Sequence, residues 1–365
     1  MDAQVGSVTS VAVSDLPPRP PGRQRASPAA VLAKRLGLRL VTRDELTIRR
    51  RRCGKGYAFY SSDGARIEDR SVIRRLNSLA VPPAYKDVLY AEDPSAHLQA
   101  IGRDAAGRLQ YRYHREWEKV RETQKAHRMA RLAEVLPRIR RSVAQHLAQE
   151  DATRELALSA VIELVARSAI RPGSESYART NGTRGAATLL KSNVTISGET
   201  VTLSFRAKGG KDVRKEFSAP RLCAAIEVLR RLPGRRLFQY RDDSGIRTVR
   251  AGDVNAFLRT IADVPITLKD FRTLCASAAV LDTLARTVPA SSARQRRKQV
   301  LEAVRTAAEA LHNTPAICRK SYVHETVVSA FENGVLESFS ATLRSCRSQA
   351  RKERFLAEIL ATATQ

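Results

Sequence analysis

Leu311-His312-Asn313-Thr314-Pro315-Ala316-Ile317-Cys318-Arg319-Lys320-Ser321-Tyr322-Val323-His324 sets one tyrosine just after an Arg-Lys pair, downstream of a turn marked by Asn-Thr-Pro. A phenol with an ordinary pKa near ~10 is a poor nucleophile at neutral pH. Cations held close to it favour the phenolate and also attract a phosphate, so the setting suits attack on phosphorus. Taken alone, the same residues describe a tyrosine on a solvated helix face. The rest of the chain has to decide between the two.

Composition narrows the choice. The chain has 365 residues, enough for two domains, and a formal net charge of +27 with a pI near 10.7. Such a charge implies a polyanionic partner, of which nucleic acid is the usual one. No apolar run approaches the ~18 residues of a spanning helix, and residues 1–30 lack a secretory pattern, so the expectation is an intracellular, cytoplasmic protein with no membrane partner. The five cysteines (Cys53, Cys223, Cys275, Cys318, Cys346) form no C-x-x-C pair, which points to reduced thiols rather than disulfides or a structural zinc site. His312, Cys318 and His324 fit no zinc spacing, so no metal site is expected.

Outward from the opening stretch, the pattern is α+β: a small β-rich N-terminal domain and a larger, mostly helical domain holding a three-stranded antiparallel sheet. The expected boundaries are a disordered Pro-rich basic tail over 1–35, the β-rich domain over 36–115, the helical domain over 116–335 and a basic helical tail over 336–365. In the front half, Gly56 to Tyr60 alternates into a turn at Ser62-Asp63-Gly64, Val72 to Leu79 reads as a short helix, and 88–90 and 98–101 read as strands. Asp104 to Gly107 then turns the chain into Arg108-Leu109-Gln110-Tyr111-Arg112-Tyr113. There Arg108, Gln110 and Arg112 share one face and Leu109, Tyr111 and Tyr113 the other. The stretch Gly102 to Leu109 nearly copies a phosphate-binding loop but lacks its Lys and Ser/Thr, which argues against an ATP site.

From Trp117 the apolar spacing is helical, with Pro137 expected to open a second helix. A further helix over 154–170 ends at Arg171-Pro172-Gly173. Three short strands follow, at 194–196, 201–205 and 213–217, and then helices at about 220–231, 252–262, 268–287, 293–311 and 319–332. Four basic or polar side chains stand at distinctive places. Arg171 projects from a helix end and Lys208 occupies the tip of the Ala207-Lys208-Gly209-Gly210 hairpin. Arg272 follows a Thr267/Asp270 capping box, and Asn313 precedes the Thr-Pro turn.

The order of these elements resembles the type IB DNA topoisomerases, specifically the small poxvirus-like form of bacteria. The likeness rests on an Arg, a Lys on a β-hairpin, Lys269-Asp270-Phe271-Arg272-Thr273, and Asn313-Thr314-Pro315 leading to Tyr322. It extends to Leu79-Ala80-Val81-Pro82-Pro83-Ala84-Tyr85, to Gly102 through His114, and to Arg171 through Gly185, and so covers roughly residues 40–330. The resemblance implies that Tyr322 attacks a DNA phosphodiester to give a 3′-phosphotyrosine and a free 5′-hydroxyl. It implies that Arg171 and Arg272 stabilise charge on phosphorus, and that Lys208, or Lys211 on the same hairpin, acts as general acid. No ATP, metal or other cofactor is implied. Arg108, Gln110, Tyr111, Tyr113, Lys211 and Lys320 become DNA-contact candidates on a monomer that clamps the duplex. Where poxvirus and eukaryotic members carry histidine, this chain has Asn313, as bacterial members do; a carboxamide donates a hydrogen bond but does not titrate, and His312 beside it is expected only to pack or face solvent. A tyrosine recombinase is the first alternative, but it would carry a helical front domain and a histidine where Asp270 stands. A non-enzymatic DNA-binding protein is the second, and charge alone would not order such a site.

Overall fold

In the computed structural model, which describes residues 27–345 and 349–362, the chain divides between Arg121 and Glu122 into two units. The first is built on an antiparallel sheet of five strands, β1 (Leu46–Cys53), β2 (Gly56–Tyr60), β3 (Lys86–Ala91), β4 (Leu98–Arg103) and β5 (Leu109–Tyr113), in the order β2-β1-β3-β4-β5. One face packs Ile48, Phe59, Val88, Tyr90 and Ala100 against Leu76 of helix α2 (Arg70–Ser78), whose first turn is capped by the Asp69 carboxylate. The other face closes over Leu46, Ala91, Leu98 and Ile101.

Several expectations for this unit change. The hairpin partner of β2 is β1, a strand hidden in the sequence by four consecutive arginines, Arg49 to Arg52. The turn at residues 61–65 adds only a single bridge, Tyr60 to Arg66. The tail expected to stay disordered through residue 35 is helical from Pro28: α1 (Pro28–Arg35) starts at a Ser27 cap and buries Ala33 against Leu38 and Val120. Residues 1–26 of that expected tail lie outside the described residues.

The second unit begins within α3 (Trp117–His146), one continuous helix with Pro137 inside it. The expected break at Pro137 does not occur. Met129, Leu132, Leu136, Ile139 and Val143 are all buried along one stripe, and keeping that stripe in register outweighs the lost hydrogen bond of the proline. α4 (Arg154–Ser168) runs through the centre with ten buried residues and ends at Ala169 in the left-handed conformation. The three-stranded sheet is antiparallel, β6 (Val194–Ser197), β7 (Thr200–Arg206) and β8 (Asp212–Ser218), with β7 in the middle. After α6 (Pro220–Arg230) comes a hairpin absent from the sequence reading, β9 (Gln239–Asp242) and β10 (Gly245–Thr248). The helices α7 (Ala251–Ala262), α8 (Leu268–Ala285) and α9 (Ala293–Ala310) follow.

The helix expected over 319–332 is two helices. α10 (Pro315–Ser321) is capped by Thr314 and α11 (Glu325–Glu332) by the His324 ring, and Tyr322 stands at the break. The supposed C-terminal tail is also part of this core. α12 (Glu337–Ser345) and α13 (Gln349–Thr362) bury Leu343, Leu356, Ile359 and Leu360 in the same cluster, and Glu353 and Lys352 pair with Arg140 of α3 and Asp282 of α8. Because Pro137 is exposed and costs α3 a backbone bond, Pro137→Ala should raise stability by about 2 kcal/mol. Chemical denaturation of the two proteins measures this; an unchanged or lower midpoint would mean that the helix carries no burden there.

Candidate active site

Arg171 is fixed by its backbone before its side chain is considered. Ala169 turns left-handed at the end of α4, and the carbonyls of Arg171 and Pro172 accept from the N–H groups of Ala186 and Ala187, both at 2.8 Å. Gly185 lies so tightly over this segment that a Cβ on it would sit 2.5 Å from the Gly173 nitrogen and 2.6 Å from the Arg171 oxygen. Only glycine allows that approach. The Arg171 guanidinium then reaches across to donate through Nη2 to Asn313 Oδ1 at 2.6 Å.

Arg272 is placed by the first turn of α8. The Asp270 carboxylate accepts from both the N–H and the hydroxyl of Thr267, each at 2.8 Å, as the capping box in the sequence required. The side chain of Arg272 is 1% exposed. It donates to the carbonyl of Ala169 at the end of α4 and to that of Leu311 at the end of α9, and its guanidinium carbon lies 5.0 Å from the centre of the Tyr322 ring. Two helix C-termini therefore supply partial negative charge to one buried cation.

Around Tyr322, burial opposes ionisation. The charge and hydrogen bond of Arg272, then the charges of Arg171 and Lys269, outweigh it and hold the phenol below its ordinary pKa. Two donors at this centre have no partner among the described residues: the buried Nδ2 of Asn313 and the buried Nε of Arg272. With Asn313 Oδ1 occupied by Arg171, its amide N–H is left for an incoming acceptor. Arg171, Arg272, Asn313 and Tyr322 are thus brought together from the segment after α4, the first turn of α8, the α9–α10 turn and the α10–α11 break.

The other expected residues are disposed differently. Lys208 is exposed at the tip of the β7–β8 hairpin, with Nζ 5.9 Å from the centre of the Tyr177 ring. Gly209 and Gly210 beside it both have positive φ, which gives that tip its tight turn. Lys211 and Lys320 are exposed. In the first unit, Arg108 and Gln110 are held by the Asp104 carboxylate, each at 2.9 Å, whereas Tyr111 and Tyr113 are exposed on the opposite face. Those two rings stack on each other at 6.1 Å, with Tyr113 stacking on Trp117 and the Arg43 guanidinium over Tyr111.

Lys215 and Lys125 at the centre escaped the sequence reading, Lys269 entered it only as part of the motif around Arg272, and His312 was expected only to pack or face solvent. Lys269 shares the helix face of Arg272 three residues on, a spacing that was visible. Lys215 lies at an inward position of β8 between Val213 and Phe217, an odd place for a charge. It donates to the Ala310 carbonyl at 2.6 Å, and burial followed by the charge of Arg272 lowers its pKa. Lys125 of α3 donates to the Val323 carbonyl at 2.8 Å and left no sequence signal. His312 is neither simply packed nor simply solvated. It is half-buried in a left-handed conformation, and burial, followed by the charges of Lys215, Lys211, Arg171 and Arg272, holds its ring below the usual histidine pKa. Among the described residues, no three His, Cys, Asp or Glu side chains converge in a group that could hold a metal ion.

Comparison with known proteins gives a concordant result. Residues 114–349, more than half of the chain, match the family of the eukaryotic DNA topoisomerase I catalytic core, and residues 56–104 match the bacterial DNA topoisomerase IB N-terminal domain. The chain is 29% identical over 294 residues to the DNA topoisomerase 1B of Acanthamoeba polyphaga mimivirus, covering 78% of this chain and 88% of that relative. With a catalytic-core match of that extent, the chain belongs to the type IB DNA topoisomerases.

Proposed function

We propose that Tyr322 is the nucleophile of a single-strand cleavage and religation cycle on double-stranded DNA, with Arg171, Arg272 and Asn313 around the scissile phosphate and Lys208 as general acid. The observation that carries this reading is the phenol lying against a buried guanidinium while a second arginine holds Asn313 with its amide N–H unspent.

In the forward step the Tyr322 phenolate, its proton already released to solvent, attacks phosphorus, the bond to the 5′ oxygen breaks, and the departing oxygen takes a proton from the Lys208 ammonium. The two arginines neutralise the charge that builds on the non-bridging oxygens, for which a planar fork of donors is suited, and the Asn313 amide adds a neutral donor. Lys208 has to leave Tyr177 to reach the leaving oxygen, a movement that a two-glycine hairpin tip permits. The reverse step uses the same groups: the 5′-hydroxyl attacks the phosphotyrosine, Lys208 takes back the proton, and the phenolate departs. The bond energy is retained in the covalent link, so resealing draws on no nucleotide, and rotation of the free end between the two steps relaxes supercoils of either sign.

The remaining lines of the proposal concern binding. Lys211 and Lys320 would meet phosphates near the reacting strand, and Tyr111 and Tyr113 would meet DNA from the first unit. Arg108 and Gln110 would do so after exchanging Asp104 for a DNA phosphate or base edge. The protein would act as a monomer that clamps one duplex, associated with the nucleoid.

Three measurements test this. Tyr322→Phe should still bind duplex but relax no supercoiled plasmid in excess EDTA without nucleotide, and should leave no SDS-trapped adduct; relaxation by that variant would end the mechanism. Because Lys269 helps to depress the phenol pKa, Lys269→Ala should raise it and move the rising limb of the cleavage-rate profile to higher pH. A profile that stays in place would remove Lys269 from the site. Finally, duplex affinity should fall steeply with salt, roughly in proportion to the phosphates contacted, and a flat response would contradict a phosphate-led interface.

A further inference from the structure

The three residues around the break between α10 and α11 have every backbone polar group engaged. The N–H groups of Tyr322 and Val323 both return to the Cys318 carbonyl, at 2.9 and 3.1 Å, as a helix end ordinarily does. The His324 carbonyl accepts from the Val327 N–H at 3.2 Å, and the other bonds are not local. Ser277 of α8 donates its hydroxyl to the Tyr322 carbonyl at 3.1 Å and, through the same oxygen, accepts from the His324 N–H at 3.1 Å. Lys125 of α3 supplies the bond to the Val323 carbonyl at 2.8 Å.

Neither side chain is what packing alone would select. Ser277 is fully buried in the interior of α8, where a serine ordinarily bonds back to its own helix. Here the hydroxyl uses its donor and an acceptor lone pair on another segment. Lys125 keeps only 12% of its side chain exposed and has one acid nearby, Glu122 at 3.5 Å. An apolar residue would fill that space without burying a charge. Ser277 is also on the same rigid helix as Arg272, so α8 touches residue 322 twice: at the ring through Arg272 and at the backbone through Ser277.

We infer that Ser277 and Lys125 are positioning residues for phosphoryl transfer, holding the backbone on both sides of Tyr322 so that its phenol stays against Arg272. This rests on the reading of Tyr322 as nucleophile. A short break between helices would otherwise leave the tyrosine free to sample orientations from which its oxygen cannot meet phosphorus in line. Fixing the backbone removes those orientations before DNA arrives.

The test uses the full-length chain with enzyme in excess over supercoiled plasmid, following SDS-trapped adduct with time. DNA affinity is measured separately for each variant in a Tyr322→Phe background, and folding is checked by thermal unfolding. Ser277→Ala and Lys125→Met should each slow adduct formation at saturating DNA by about tenfold to a hundredfold while DNA affinity stays unchanged. Lys125→Arg, which keeps a donor, should recover most of the rate. If Ser277→Ala does not fold, the Lys125→Met and Lys125→Arg pair decides alone. Adduct formation at the unsubstituted rate in a folded variant would overturn the inference, as would parallel losses of rate and affinity. Absence of any adduct in the unsubstituted protein, or an adduct that survives Tyr322→Phe alone, would instead remove the nucleophile assignment beneath it.

Discussion

A guanidinium shut away from water is costly unless its donors are met, and Arg272 directs its two terminal nitrogens to the ends of two helices while its Nε has no partner among the described residues. α4 stops at Ala169 and α9 at Leu311, and both final carbonyls turn toward the same side chain. The carbonyls carry the negative ends of their helix dipoles, so the cation is solvated by backbone rather than by solvent. That constraint orders much of the second unit. α4 must end where it does for its carbonyl to arrive, which sets the start of the Arg171 segment. The α9 end must arrive too, which sets the turn bearing Asn313. Lys215 secures the neighbouring Ala310 carbonyl on the same α9 end. The phenol then lies over a cation whose position the surrounding helices have already fixed.

Much of this was readable from residues whose chemistry is local. The Thr267/Asp270 box announced the start of α8, the Gly-Gly tip announced the β7–β8 hairpin, and alternation gave the three strands of that sheet. What could not be read were features decided by distant partners. β1 was masked because four arginines in a row erase alternation, although one face of the strand is covered by the sheet's core. Pro137 reads as a helix start in any local rule, and only the buried stripe on either side of it keeps α3 whole. The break at Tyr322 was hidden for the same kind of reason. Nothing between Arg319 and Glu332 forbids a single helix outright, and the backbone at the interruption is met by a serine and a lysine remote in sequence. The C-terminal helices looked like a basic appendage because their charged face dominates the composition, while Leu356, Ile359 and Leu360 are spaced to meet the core.

The first unit distributes its polar groups along β5 in a way that bears on DNA contact. One face of the strand has its arginine and glutamine already satisfied by Asp104, while the other presents stacked tyrosines with open surface. The satisfied pair can join a complex only by exchange, at little net gain, whereas the aromatic face keeps exposed ring surface even with Arg43 donating to the Tyr111 hydroxyl. Affinity and geometry from this strand should therefore come more from the rings than from the charges.

The break that carries Tyr322 has a mechanical meaning as well. If Tyr322 is the nucleophile proposed above, any torque stored in a duplex tethered to that side chain would pull on a single Cα, and the pull would have to be passed to the body of the protein. A residue in mid-helix would spread that load along its own rod and tend to unwind it. At residue 322 the load path is short and transverse: through the Ser277 hydroxyl into α8, and through the next carbonyl into α3 by way of Lys125. Both receiving helices are long and anchored in the core, so the tether can be twisted without peeling α10 or α11 from their seats.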